Sequence, residues 1–278
     1  MSFKSPQSTL SFRWLGAGGI EFHYQGVILL IDPFLTRPRL KDLLFYPLRP
    51  DKALLRTTLP QADFIFITHP HYDHLMDVPE IMRYTTAQVF GSSYAMQIIQ
   101  ANGIHPQRCH IVRPAAKLQA GSYSIQVLAG GHIYIPFFTQ KSSLPKSRLP
   151  RRVWDYQMDA CFSYALSTPP YTILIWHNTH GDRAPRADML FLNSEIAPVE
   201  LDVLLKNVQP HYIVPVHWDN FFRPLNRPLQ PFIQPTHQLF PPIKRFNQQN
   251  FANLIQDIIP GTRIIFPKPL EFISDLLN

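Results

Sequence analysis

The sequence predicts an α/β protein of two packed β-sheets with helices on their outer faces. Three observations carry that prediction. Short apolar runs bounded by Gly and Pro recur from about residue 10 onward. Segments with helical spacing separate them, and the two halves of the chain repeat the theme at comparable length. With 278 residues, 45% hydrophobic and 16% charged, the chain can bury a large core, and we read residues 1–278 as one domain.

Taken in order, residues 10–15, 20–24 and 27–31 read as short strands separated by Gly turns. Residues 33–60 carry five prolines and read as an irregular connection. The apolar run 63–68 is a buried strand. Residues 78–83 form a short helix, 87–90 a strand, and 92–100 a helix stopped by Gly103. Strands follow at 123–128, 161–166, 172–176 and 189–192. A helix at 198–207 starts on Pro198, which suits a first helical turn. A strand at 212–216, a helix at 251–258 and a strand at 262–266 complete the pattern.

Directly after the 63–68 strand comes His69-Pro70-His71-Tyr72-Asp73-His74. An extended segment puts residues i and i+2 on one side, so His69 and His71 can share an ion. Asp73 and His74 follow once the chain turns and can serve a second ion. Imidazole with carboxylate is the ligand set of zinc and its first-row neighbours. With 12 His in the chain, chance produces this pattern about once in a thousand shuffled sequences.

The motif resembles the signature of the metallo-β-lactamase superfamily, and the likeness extends from about residue 10 to 267. Trp14 to Phe22 followed by Val27 to Pro33 resembles that family's opening hairpin with its Asp-Pro. Gly130-Gly131-His132 resembles its third histidine motif, and Ile213 to Trp218 its last. The nearest branch resembles ascorbate-6-phosphate lactonase-like proteins and N-acyl-phosphatidylethanolamine phospholipases D. The resemblance implies a four-layer αβ/βα sandwich, two mixed sheets flanked by helices, with the metal site at one edge. It assigns His69, His71 and His132 to one ion and Asp73, His74 and His217 to the other. Asp32 is expected to support a ligand imidazole from behind. The cofactor expected is Zn²⁺, one or two ions, or Mn²⁺ or Fe in its place.

One position departs from the family. Its bridging carboxylate follows the strand matching 171–176, and here the chain reads Trp176-His177-Asn178-Thr179-His180-Gly181-Asp182. The matching residue is Asn178, a neutral amide and a poor bridge between two cations. Three readings stay open: Asn178 holds the position and weakens one ion, Asp182 reaches in, or His177 or His180 supplies the ligand.

The reaction implied is hydrolysis of an ester, lactone or phosphodiester by a metal-activated hydroxide, with Asp73 orienting the nucleophile as well as binding. A non-catalytic or degenerate metal-binding relative is the alternative, and a nuclease a third. The formal charge of +7 favours anionic partners without naming them, and nucleic acid is not excluded. Two long loops follow the metal motifs. The segment 133–156 contains Arg151 and Arg152 among other basic and aromatic residues; the segment 219–244 contains Arg223 with Phe221, Phe222 and six prolines. Loops of this length inside a domain are usually binding loops. Basic and aromatic side chains together suit a small anionic or lipid-like substrate, contacted by Arg151, Arg152 and Arg223. No apolar run approaches the ~20 residues of a membrane span. The N-terminus lacks a signal-peptide core, and Cys109 and Cys161 read as free thiols, so the expected location is the cytoplasm.

Overall fold

The structure, a computed structural model, describes residues 9–131, 150–169, 171–177, 181–235, 243–274 and 276. The first half runs β1 (Ser11–Gly16), β2 (Gly19–Tyr24), β3 (Val27–Ile31), α1 (Leu40–Phe45) and α2 (Lys52–Thr58). It continues with β4 (Phe64–Phe66), α3 (Tyr72–Leu75), α4 (Val78–Tyr84), β5 (Gln88–Gly91), α5 (Ser93–Ala101) and β6 (Cys109–Ile111). The second half contains β7 (Lys117–Ala120), β8 (Tyr123–Ala129), β9 (Phe162–Thr168), β10 (Tyr171–Trp176), β11 (Met189–Asn193), α6 (Pro198–Val208) and β12 (Tyr212–Val216). After it come β13 (Ile233–Pro235), β14 (Ile243–Arg245), α7 (Gln248–Ile258), β15 (Arg263–Ile264) and β16 (Phe272–Ser274).

Two seven-stranded mixed sheets result. One has the order β16-β1-β2-β3-β4-β5-β6, the other β15-β12-β11-β10-β9-β8-β7. The β1–β2–β3 meander is antiparallel, and from β3 to β6 the strands are parallel. In the second sheet β10, β11, β12 and β15 are parallel.

Strand periodicity decides which side chains face which layer. On β3, Leu29 and Ile31 enter the core between the sheets and Leu30 faces the helices; on β4, Phe66 and Ile65 divide the same way. Phe191 of β11 fills the gap between Phe12 and Phe22, edge-on to both at 5.1 and 5.3 Å. Each such contact adds about 0.5–1.5 kcal/mol beyond its area. Helices α2, α4 and α5 cover one outer face. On the other, α6 presents Leu201, Leu204 and Leu205, and α7 presents Phe251 and Ile255. The four layers agree with the expected sandwich.

The 33–60 connection is more regular than the sequence indicates. Its prolines confine the two helices to six and seven residues, and α2 is capped by the Asp51 carboxylate accepting the Leu54 N–H at 3.0 Å. Helix α7 begins three residues before the expected start, because Asn247 caps it by accepting the Asn250 N–H. Strand β16 had no sequence signal. It pairs antiparallel with β1, Phe12 opposite Ile273, a contact between chain ends that no local pattern encodes. Among the described residues, no helix is long and apolar enough to cross a membrane. Both cysteines are free.

Candidate metal centre

The site lies where parallel strands of both sheets end, the usual place for ligands in open α/β sheets. Asp32 follows β3, His69 follows β4, His177 follows β10 and His217 follows β12. Three bonds draw these ends together: Thr68 O accepts the Phe162 N–H at 2.8 Å, Ile67 O accepts the Tyr164 hydroxyl at 2.7 Å, and Ala17 O accepts the His217 N–H at 2.9 Å.

His69 and His71 are buried, with ring centroids 4.6 Å apart, as the i, i+2 spacing requires. His71 then stands at the N-cap position of the four-residue helix α3, which turns the chain and carries Asp73 and His74, the His74 ring 3.9 Å from that of His69. There Asp73 Oδ2 lies 3.1 Å from His217 Nε2 and 3.4 Å from His74 Nε2, with all three residues buried. A carboxylate oxygen and two imidazole nitrogens converging this closely fit a divalent first-row ion. Gly18 makes room for them: a Cβ there would come within 3.1 Å of His74 Cε1 and 3.7 Å of His217 Cδ2.

Asp32 is fully buried and serves both histidine groups. Its carboxylate accepts Thr68 N–H at 2.8 Å, Thr68 Oγ1–H at 2.5 Å and His74 Nδ1–H at 2.8 Å. Thr68 Oγ1 in turn lies 3.0 Å from His69 Nδ1. With Nδ1 donating to Asp32, Nε2 is the His74 nitrogen that faces Asp73, and it can coordinate once its proton leaves.

The electrostatics follow from burial and pairing. Burial lowers the pKa of His74, but Asp73 and Asp32 outweigh it and raise the pKa to about 10. Burial raises Asp73, yet His74 and His217 hold it well below the carboxylate range. Burial also lowers His217, and its bond to Asp73 raises it overall. His74 therefore stabilises the apoprotein fully below about pH 6.5 and loses that contribution as pH rises through 10; Asp73 contributes above about pH 4 and loses it in acid. A proton held this firmly competes with metal. Zn²⁺ loading at pH 7 is expected to release at least one proton, with apparent affinity rising about tenfold per pH unit for each proton displaced. Titration calorimetry in two buffers of different ionisation enthalpy measures this, and equal heats in both would contradict it.

His177 is buried, with its ring 5.9 Å from His69 and 6.0 Å from His74, and its backbone N–H donates to Ser163 Oγ at 2.8 Å. Asp182 is exposed on a turn whose Gly181 carbonyl accepts from Asn207 Nδ2, near the far end of α6. His132, Asn178 and His180 lie outside the described residues.

Arg151 is exposed and Arg152 half-buried. Both backbone N–H groups bond Asp155 Oδ2 at 2.8 Å, and the Arg152 guanidinium stacks over Trp154 at 5.7 Å. The Asp155 carbonyl accepts from Tyr94 on α5, which starts at the carboxyl end of β5, so this segment borders the same sheet edge as the metal loop. Arg223 is half-buried two residues after Phe221, whose ring packs 5.2 Å from that of His217. Its Nε is buried with no hydrogen-bond partner among the described residues.

Sequence reading missed Thr68, Arg37 and Asp219. Arg37 and Asp219 form an ion pair at 2.5 Å, both fully buried, on loops 182 positions apart. Asp219 stands two residues from His217, but an Arg between prolines carries no local signal.

This fold, with histidines and carboxylates at the strand ends, defines the metallo-β-lactamase superfamily, and comparison with known proteins agrees. A family model described as a β-lactamase superfamily domain matches residues 28–148. A UPF0173 metal-dependent hydrolase of Caldivirga maquilingensis is 31% identical, over 96% of each chain. Among solved structures, a metallo hydrolase of Ignicoccus hospitalis has TM-score 0.59 and 17% identity, covering 97% of this chain and all of its own. YhfI of Bacillus subtilis, a metallo-β-lactamase fold protein, has TM-score 0.59 and 12% identity over 96% of this chain and all of its own. The chain belongs to the UPF0173 metal-dependent hydrolases of the metallo-β-lactamase superfamily.

Proposed function

We propose that this metal-dependent hydrolase cleaves an anionic ester, lactone or phosphodiester. In this reading His69, His71 and His132 hold one ion, and Asp73, His74 and His217 the other, with Zn²⁺ the first expectation and Mn²⁺ or Fe in its place. When bound, such an ion activates water at neutral pH and polarises the oxygen of the scissile bond. The observation that carries the reading is the convergence of Asp73 Oδ2 with two imidazole Nε2 atoms in a buried pocket.

The protein's own groups do the rest. Asp73 holds the ion and orients the nucleophile through its carboxylate. Asp32 fixes the His74 tautomer so that Nε2 stays free to coordinate. Asn178, which lies outside the described residues, is taken for the bridging position; a neutral amide there holds one ion more weakly than a carboxylate would. Asp182, exposed on its turn, is not part of this reading.

Arg223 supplies the anion contact nearest the metal, with Arg151 and Arg152 at the rim. The buried Arg223 Nε and the Phe221 ring beside His217 support this order. A charge-assisted hydrogen bond is worth about 1.5–3 kcal/mol, so Arg223→Ala is expected to raise KM for an anionic ester about 10- to 100-fold. A neutral ester of the same shape is expected to change less than about twofold, and Arg151→Ala and Arg152→Ala to follow with smaller effects. Metal-loaded protein assayed against the matched pair tests the reading. Equal changes on both substrates would remove the arginines from it, and no turnover of anionic esters, lactones or diesters by fully loaded protein would end it.

A further inference from the structure

We infer that the Arg37–Asp219 ion pair is a positioning device for His217, and through it for the ion held with Asp73 and His74. The inference rests on the reading of His217 as a ligand.

His217 has φ +60° and Ala17, its partner, φ +45°. Both are left-handed conformations that residues with a Cβ adopt only when their surroundings impose them. The surroundings here are a closed loop of bonds. Ala17 O accepts the His217 N–H at 2.9 Å, while the Ala17 N–H donates to Asp219 Oδ1 at 3.0 Å. One residue of the β1–β2 turn is thus gripped at both ends by residues 217 and 219. The far carboxylate oxygen, Asp219 Oδ2, takes Arg37 Nη2 at 2.5 Å, and Arg37 Nη1 donates to the Arg223 carbonyl at 3.2 Å.

Arg37 lies flush against the same turn. Gly16 has φ +86°, and a Cβ there would fall 1.8 Å from Arg37 Nη2. On the turn's other side a Cβ on Gly18 would meet His74 and His217. Residues 16–18 are therefore a thin backbone wall with a buried cation behind it and two candidate ligand imidazoles in front. Trp14 Nε1 also donates to Ala17 O and Ser194 Oγ to His217 O, so the wall has other supports. Among the described residues, the Asp219 carboxylate joins residue 17 to the chain that carries His217 by a side-chain charge, and Arg37 ties that carboxylate to the 33–37 connection and the Arg223 loop.

A buried pair broken on one side destabilises any protein, so stability alone cannot test the idea. The control is Glu80→Gln. Glu80 is as deeply buried and pairs with Arg83 at 2.7 Å and Arg56 at 3.4 Å, on α4. The experiment loads each variant with Zn²⁺, follows metal release to a competing chelator, and records the Co²⁺ absorption spectrum of the substituted protein. His217→Ala sets the loss expected when the ligand itself is gone. Asp219→Asn and Arg37→Met are expected to speed release of one metal equivalent about 10- to 100-fold, the size seen when groups behind a ligand are lost, and to alter the Co²⁺ bands. Glu80→Gln is expected to lower Tm with release and spectrum unchanged.

The double variant Arg37→Met/Asp219→Asn removes both buried charges. It is expected to regain most of the lost Tm while release stays at least tenfold fast. It also serves if the single variants fail to fold. Release and spectra in these variants that match Glu80→Gln would overturn the inference. His217→Ala retaining both ions would overturn the ligand reading first, and this inference with it.

Discussion

Asp73→Asn is expected to abolish metal binding at the Asp73–His74–His217 group and to lower kcat by at least about 10²–10³-fold, the size seen for loss of a single charge-stabilising group. The substitution keeps the shape and removes the charge. Among the described residues, Asp73 Oδ2 is the anionic atom between the two imidazole nitrogens, at 3.1 and 3.4 Å, and all three residues are buried. An amide offers one weak neutral donor atom there, and can turn its NH₂ toward a nitrogen lone pair instead. The fold is expected to survive. Without the Asp73 carboxylate, His74 still has the Asp32 carboxylate 2.8 Å from its Nδ1, so a charge on that ring keeps a counter-charge. Elemental analysis should find one equivalent fewer than in the parent, with an unchanged circular dichroism spectrum. A variant with full metal content and more than a tenth of the parent rate would show that Asp73 is neither ligand nor catalyst.

Asp32→Asn is expected to be almost as damaging, although Asp32 is placed behind the ligands. Its carboxylate accepts from three donors, and an amide has one oxygen to offer. Whichever way the amide turns, an NH₂ meets a donor, either at Thr68 or at His74 Nδ1. In the second case His74 escapes by moving its proton to Nε2, the nitrogen needed for the metal. One buried donor left unmet costs about 1–3 kcal/mol, a Tm drop of roughly 3–10 °C for a chain near this size. Metal affinity is expected to fall about 10- to 100-fold, and because Thr68 also bridges to His69, both histidine groups are affected. Asn tolerates the positive φ of +43° at this position, so backbone strain does not confuse the result. Chelator competition reads the affinity. Unchanged affinity with a lowered Tm would reduce Asp32 to a purely structural role.

Much of this was legible in the chain. The apolar runs gave most of the strands, since one buried face needs only a period of two. The i, i+2 spacing of His69 and His71 gave a neighbouring pair of rings, and the turn after them put Asp73 and His74 close by. Both are local facts, set by backbone geometry within six residues. His217 was reachable only by likeness to known relatives, because one histidine at a strand end carries no chemistry until a fold brings it to a partner.

The tertiary structure alone decided the rest. It placed His217 Nε2 beside Asp73 across 144 positions of sequence, and paired Arg37 with Asp219 across 182. It put β16 on the edge of β1, and left Asp182 exposed on its turn. The physical reason is common to all of these. Periodicity and capping act through neighbours a few residues away, where the sequence states both partners. A buried ion pair, a sheet edge or a ligand set forms between residues whose closeness depends on how every intervening strand and helix packs.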